Sequence, residues 1–296
     1  MAEPGVAIGQ RVGVVGAGTM GVGIAYVFAM AGFEVSLVEP DDDGAARATE
    51  ILRKTASGAQ ARGKLTGAEA EAGLARIERL RNVSDLPEGL DLIIETVPEK
   101  RDLKMQVLSA IAARDPKLIA SNTSSMSIDA LAAAVNDPAH FLGLHFFNPV
   151  WSLKLVEVIS GKETREDSVA KACAFAEAIG KTTAVVRDSP GFATSRLDLV
   201  QALEAIRMVE EGVASAADID RAITNAYRHP VGPLQLSDIV GLDVRLDIAR
   251  QLADTLGPHF APPQLLQDMV ARGELGRKSG KGFYDWASDT LNSKAG

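Results

Sequence analysis

Gly16-Ala17-Gly18-Thr19-Met20-Gly21 is a GxGxxG turn, preceded by the apolar segment RVGVV at 11–15 and followed by a helix-like run. The chemistry such a turn offers is phosphate recognition by the main chain. Gly16 permits the tight turn, Gly18 lets the backbone approach a pyrophosphate, and Gly21 lets helix and strand pack closely. Thr19 and Met20 open the helix, whose free amides and positive dipole end face the phosphates. Glu39 lies 18 residues past Gly21, at the end of EVSLVE. A carboxylate there accepts hydrogen bonds from an adenosine ribose and repels a 2′-phosphate. The spacing predicts NAD as cofactor, not NADP.

A second group has the composition of a proton-transfer site. His145 ends the apolar run FLGLHF, and Glu157 stands twelve residues on, inside LVEVI. A carboxylate with apolar neighbours on both faces of a strand is costly if ionised and unpaired. It needs a cationic partner, and His145 is available. Such a partner fixes the imidazole tautomer and stabilises the imidazolium, which suits a general base. An edge strand with Glu157 in water satisfies the same spacing.

Two polar segments lie between these groups. Glu95-Thr-Val-Pro-Glu99, followed by Lys104, sits where a third crossover strand ends, and open α/β sheets bind ligands beyond such strand ends. Glu99 and Lys104 read equally as cofactor contacts or as solvated charges at a helix start. Ser121-Asn122-Thr123-Ser124-Ser125 follows the apolar LIA, and helix capping accounts for each of these residues. No GxSxG surrounds Ser124, so a nucleophilic serine is not expected; a hydrogen-bonding hydroxyl stays open.

The elements that must position these residues alternate. Strand-like segments occur at 11–15, 34–39, 91–95, 117–120, 141–146, 154–159 and 184–186. Helix-like segments lie between them, including a long run over 43–81 that carries Arg53, Lys54, Arg62 and Lys64. This is the pattern of crossover units and a parallel sheet covered on both faces. After Asp188-Ser189-Pro190-Gly191 the pattern is helical, with an amphipathic run over 194–211 and a second helix opening at Ser215. Ser215-Ala-Ala-Asp218 resembles a capping box. The expected organisation is α/β over 1–187 and all-helical over 188–296.

Composition narrows the function classes. The chain has 296 residues, 46% hydrophobic and 24% charged, with 31 basic against 39 acidic side chains and a net charge of −8. That balance disfavours nucleic-acid and anionic-membrane partners. One cysteine and four scattered histidines leave no disulfide framework and no zinc motif. The uncharged stretch from Val12 to Phe33 is long enough for a bilayer, but six glycines argue for strand, turn and buried helix. The opening MAEPGVAIGQ lacks the basic and apolar regions of a signal peptide, so a cytoplasmic location is expected.

GAGTMG, ETVPE, SNTSSMSI, HFFNP, KLVEVI, DSPGF, HPVGPLQLSDIVGLD and GRKSGKGFY occur in this order from about Arg11 to Trp286. Together they resemble the 3-hydroxyacyl-CoA dehydrogenase family, in its short stand-alone form. The resemblance implies a Rossmann-type NAD-binding domain, then a helical domain for substrate binding and homodimerisation. It implies NAD-dependent interconversion of (S)-3-hydroxyacyl-CoA and 3-ketoacyl-CoA, a reaction of fatty-acid β-oxidation. His145 then corresponds to the catalytic base, Glu157 to its carboxylate partner, and Ser124 to a serine that contacts substrate near the reacting oxygen. Glu99, Lys104, Asn148 and Lys278 fall on positions around the NAD, with Gly16, Gly18, Gly21 and Glu39.

One position departs. The family segment GF-x-x-N-R reads Gly191-Phe192-Ala193-Thr194-Ser195-Arg196 here, with Ser195 where an asparagine touches substrate. Lys54, Arg62 and Lys64 are candidates for the CoA phosphates, although a charged helix face explains them equally. Two other readings stand beside this one. A hydroxyisobutyrate-type dehydrogenase shares the GxGxMG start, but its catalytic lysine in a glycine-rich helix is not seen. A catalytically silent NAD-binding relative is compatible with Ser195.

Overall fold

The computed structural model describes residues 10–287. By their internal contacts the described residues form two compact units, the first ending at Phe192 and the second beginning at Ala193.

The first unit is built on one eight-stranded sheet. Its elements run β1 (Arg11–Val15), α1 (Thr19–Met30), β2 (Glu34–Val38), α2 (Asp42–Ala61), α3 (Gly67–Leu74), β3 (Ile77–Leu80) and β4 (Leu92–Glu95). They continue with α4 (Arg101–Ala112), β5 (Ile119–Ser121), α5 (Ile128–Ala132), β6 (Phe141–Phe146), β7 (Leu155–Ser160), α6 (Glu166–Ala178) and β8 (Thr182–Arg187). The strand order is β3-β2-β1-β4-β5-β6-β7-β8. The chain moves outward from β1 in one direction, then returns to build on its other side. The topological switch therefore lies between β1 and β4, where open α/β sheets bind ligands.

The uncharged stretch from Val12 to Phe33 is accounted for by β1, the glycine turn and the twelve-residue α1. Among the described residues no helix is long and apolar enough to cross a membrane.

Two features correct the sequence reading. The run over 43–81 is not helical throughout, because it ends in β3, which pairs in parallel with β2. Glu78 and Arg79 of β3 are exposed, as befits a sheet edge, so the strand carries no apolar signature. Pairing with β2 overrides the local helix preference of its Ala-, Glu-, Arg- and Leu-rich surroundings. The sheet is also mixed, since β7 runs antiparallel to β6 and β8 is parallel to β7. The eight residues 147–154 that join β6 to β7 are too few for a crossover of a dozen or more, so the chain doubles back. Lys181 clamps this connection by donating to the carbonyls of Val150 and Leu153.

Alternation along the strands separates two apolar layers. Val12, Val14, Leu92, Ile94, Leu142, Leu144, Val156 and Val158 belong to one cluster. Val15, Ile93, Ile119, Phe141 and Ile159 belong to the other, with Leu108 and Ile111 of α4 and Ile128 and Leu131 of α5. Because successive side chains point to opposite faces, Glu95, Ser121, His145 and Glu157 all fall on the face that α4 and α5 cover.

The described part of the second unit holds α7 (Thr194–Glu210), α8 (Ala216–Ala226), α9 (Pro233–Val240), α10 (Leu242–Leu256) and α11 (Gln264–Ala271). They enclose a core that includes Leu199, Leu203, Ile206, Leu234, Leu246 and Leu266. The Ser215 side chain accepts the Asp218 amide at the start of α8, while the Asp218 carboxylate takes the Ser215 hydroxyl rather than a backbone amide. The segment after α11 is tied down by two buried carboxylates. Asp238 accepts the amides of Phe283 and Tyr284 and the Trp286 indole, and Asp220 accepts the Tyr284 hydroxyl.

Candidate active site

A cleft of about 910 Å³ opens at the carboxyl ends of β1, β2, β4 and β6. Gly16, Gly18, Thr19, Met20, Glu39, Glu99, Ser124 and His145 all line it. Eight of the residues singled out from the sequence, spread over 130 positions, thus share one wall system in the first unit.

The glycine turn is shaped as a phosphate cradle. Gly16 has φ +104°, a conformation unfavourable for any side chain. A Cβ on Gly21 would stand 1.8 Å from the Gly16 carbonyl oxygen, so only glycine lets α1 approach the turn this closely. A Cβ on Gly18 would meet no protein atom within 4 Å, because that side of the turn faces open space. No side chain caps α1 and no acidic residue lies in its first turn, so its leading amides and dipole are available to an anion. Thr96 fastens the turn from below, donating its hydroxyl to the carbonyls of Val15 and Gly16 at 3.0 and 2.8 Å. The carboxylate of Glu39 accepts the amides of Ala17 and Asp41, both at 3.1 Å, which fixes it at the rim beyond β2. These residues fit a dinucleotide.

At the other end of the cleft, the antiparallel register sets His145 directly opposite Glu157. Nδ1 of His145 lies 2.8 Å from Oε2 of Glu157. Glu157 has no exposed surface and His145 retains only 7%. Phe147 and Phe192 pack beside the imidazole, with ring centroids 4.4 and 5.7 Å away. With Nδ1–H donated to the carboxylate, Nε2 is the basic nitrogen, on a ring that lines the cleft.

Between these ends a buried relay ties the loops together. Glu95 takes the Lys104 ammonium at 2.8 Å, the Val97 amide at 2.7 Å and the Ser121 hydroxyl at 2.6 Å. Lys104 reaches on to Glu99 at 3.2 Å. Glu99 in turn accepts the Thr123 and Ser125 hydroxyls and the amides of Ser124 and Ser125. Burial pushes the Glu99 carboxyl up, but the Thr123 hydroxyl, the Lys104 charge and the Ser125 hydroxyl outweigh it and hold the group below the usual carboxylate range. The result is a fixed loop that presents Ser124 to the cleft, and among the described residues the Ser124 hydroxyl has no hydrogen-bond partner.

Three other candidates of the first unit do not line the cleft wall. Lys104 is 1% exposed and sits beneath the cleft, holding Glu95 and Glu99 rather than lining the wall. Asn148 is exposed just past β6 and does not line the cleft; Lys54 is exposed on α2. Ser195, in the first turn of α7, and Lys278, paired with Asp243 at 2.5 Å, belong to the second unit.

Sequence reasoning passed over other contributors. Asn122 accepts the Phe146 amide through its side chain at 2.9 Å and so fixes the end of the His145 strand, a role beyond the helix capping its sequence context suggests. Thr96 and Glu95 lie inside the ETVPE motif, yet their roles depend on neighbours 80 and 26 positions away. Arg81, Asn82 and Val83 wall the cleft beyond Glu39, brought there by the pairing of β3 with β2.

Comparison with known proteins places this geometry. Residues 11–189 match the model of the 3-hydroxyacyl-CoA dehydrogenase NAD-binding domain, and residues 191–286 match that of the family's C-terminal domain. A 3-hydroxybutyryl-CoA dehydrogenase of Mycobacterium tuberculosis is 42% identical over 282 residues, covering 94% of this chain and 98% of that protein. The 3-hydroxyadipyl-CoA dehydrogenase of Escherichia coli is 36% identical over 284 residues, 95% of this chain and 60% of the relative. The crystal structure of (S)-3-hydroxybutyryl-CoA dehydrogenase from Ralstonia eutropha superposes with a TM-score of 0.89 at 38% identity, covering 94% of this chain and 99% of that one. With both halves matched in order, a cradle that fits the dinucleotide and a buried histidine–carboxylate pair, the chain belongs to the 3-hydroxyacyl-CoA dehydrogenase family and is an NAD-dependent enzyme of that kind.

Proposed function

We propose that the protein interconverts (S)-3-hydroxyacyl-CoA and 3-ketoacyl-CoA, with His145 as general base. The buried His145–Glu157 pair carries this reading, because it provides a proton acceptor of fixed tautomer on the cleft wall. NAD, held by the glycine turn and Glu39, supplies the two-electron hydride acceptor when bound. His145 takes the substrate hydroxyl proton on Nε2. Glu157 stabilises the imidazolium through Nδ1, and Phe147 and Phe192 shield the pair from water. Ser124 hydrogen-bonds the substrate oxygen, with Glu99 and Lys104 keeping its loop in place. NADH-dependent reduction of acetoacetyl-CoA tests the reading; no turnover would favour a silent relative.

Lys54 is proposed as a CoA phosphate contact, and Asn148 and Lys278 as contacts toward the NAD. A cytoplasmic location suits water-soluble, charged reactants of this kind.

Ser195 is proposed to shift acyl preference. A serine hydroxyl donates and accepts like an asparagine amide but reaches less far from the backbone, which leaves room for a water or a bulkier acyl group. One such hydrogen bond is worth ~0.5–1.5 kcal/mol. Ser195→Asn is therefore expected to raise kcat/KM on acetoacetyl-CoA, relative to longer or functionalised 3-ketoacyl-CoAs, by roughly 2- to 13-fold. An unchanged ratio would show that Ser195 does not set specificity.

The homodimer is proposed to form through the second unit. Leu197 of α7, Val240 of α9 and Val244 of α10 are exposed at 67%, 39% and 39%, on helices that pack together. Exposed apolar side chains on packed helices support this reading. Light scattering is expected to give twice the chain mass, and Leu197→Arg to give the monomer. A monomeric parent protein refutes the assignment.

A further inference from the structure

Beyond Glu39, the cleft is bounded by Pro40, Arg81, Asn82 and Val83. The edge strand brings Arg81 there. Leu80 is in register with Val38, and the Glu39 amide donates to the Leu80 carbonyl at 2.9 Å, so Glu39 and Arg81 begin the same rim. A guanidinium beside the end of β2 is the group that binds the 2′-phosphate of an NADP-type adenosine.

Neither Arg81 nor Arg79 stands free for that task. Arg81 Nη2 lies 2.7 Å from both oxygens of Asp42, the first residue of α2. Arg79 Nη2 lies 2.7 Å from Asp42 Oδ1 and 3.2 Å from the Glu39 carbonyl. The hydrogen bonds from Arg81 and Arg79 hold the Asp42 carboxyl below its ordinary range. All three side chains are in contact with solvent, Arg79 by 37% and the other two by more than half, so their pairing adds little to stability. What it decides is where two positive charges rest and what else they can bind. Four carboxylates, Glu39, Asp41, Asp42 and Asp43, occupy five consecutive positions at this rim.

We infer that Asp42 is a second determinant of cofactor specificity: it retains Arg79 and Arg81, the partners an adenosine 2′-phosphate would need, while Glu39 repels that phosphate. Discrimination is thus divided between two carboxylates on either side of Pro40. The inference rests on dinucleotide binding in this cleft.

The test uses the full-length protein with Glu39→Ala, Asp42→Ala and the double substitution, and Asp42→Asn as a variant of unchanged shape. Calorimetric titration with 2′,5′-ADP and with 5′-AMP reads binding without turnover, and kcat/KM for NADPH and NADH is measured in parallel. The double variant is expected to bind 2′,5′-ADP about 10- to 100-fold more tightly than Glu39→Ala does, as one charge-assisted hydrogen bond allows. Its NADPH/NADH ratio should rise in step, Glu39→Ala with Asp42→Asn should follow the same direction, and Arg79→Met together with Arg81→Met, added to the double variant, should cancel the gain. The inference is overturned if the double variant binds 2′,5′-ADP no better than Glu39→Ala, or if the gain survives removal of both guanidinium groups by Arg79→Met and Arg81→Met. Failure of 5′-AMP to bind the parent protein overturns the cleft assignment itself.

Discussion

Replacing His145 with alanine is expected to lower kcat by about 10²- to 10⁴-fold, the range for loss of a positioned general base. His145→Gln, which keeps a polar side chain of similar reach, should fall as far, because an amide cannot take a proton. Glu157→Gln tests the pairing separately. The carboxylate accepts from Nδ1, whereas a glutamine can turn its amide toward Nδ1 and donate, leaving the proton on Nε2. The imidazole then has its lone pair on the wrong nitrogen, and ~10²-fold or more should be lost from kcat. NADH affinity should stay nearly intact in all three variants, since neither residue belongs to the glycine cradle. Folding is checked by circular dichroism and NADH titration. Near-normal turnover in either His145 variant would rule the mechanism out.

The second large effect concerns the cradle, where substitution of either of two glycines should weaken NADH binding but only one should lower stability. Gly21→Ala puts a methyl carbon where the Gly16 carbonyl oxygen stands 1.8 Å away and the Thr96 hydroxyl 2.6 Å away. The turn and α1 must separate, at a cost of about 1–3 kcal/mol for overpacking. The thermal midpoint should fall, and KM for NADH should rise at least ~10-fold. Gly18→Ala meets no protein atom within 4 Å, and its φ of −70° suits alanine. Its thermal midpoint should therefore match the parent's while NADH binding weakens, because the methyl group stands in the space a pyrophosphate needs. Unchanged stability and NADH binding in Gly21→Ala would contradict the packing described for the turn.

The sequence carried its chemistry where that chemistry is local. Gly16, Gly18 and Gly21 answer a backbone requirement that three residues in one turn satisfy, and Glu39 is placed by the length of one strand–helix–strand unit. These positions were legible because their spacing is set by helix rise and strand length. The His145–Glu157 pair was visible as two residues that needed each other, but spacing left open an exposed edge strand. The structure decided it through the reversal after β6, which sets the two residues opposite each other, with β8 covering the far side of β7.

Other roles were decided only by tertiary structure. The sequence around Lys104 suits a cofactor contact and a surface charge equally, and α4 turns it inward onto Glu95, where a buried carboxylate requires it. The serine-rich run became a pinned loop because Glu99, from a different strand end, collects its amides and hydroxyls. The edge strand that delivers Arg81 to the cofactor rim carries helix-favouring residues, and only hydrogen bonding to β2 makes it a strand. Local sequence determines which groups are present and how short segments bend. Which distant groups meet depends on strand order and direction, and these are set by long-range pairing and by burial of charge.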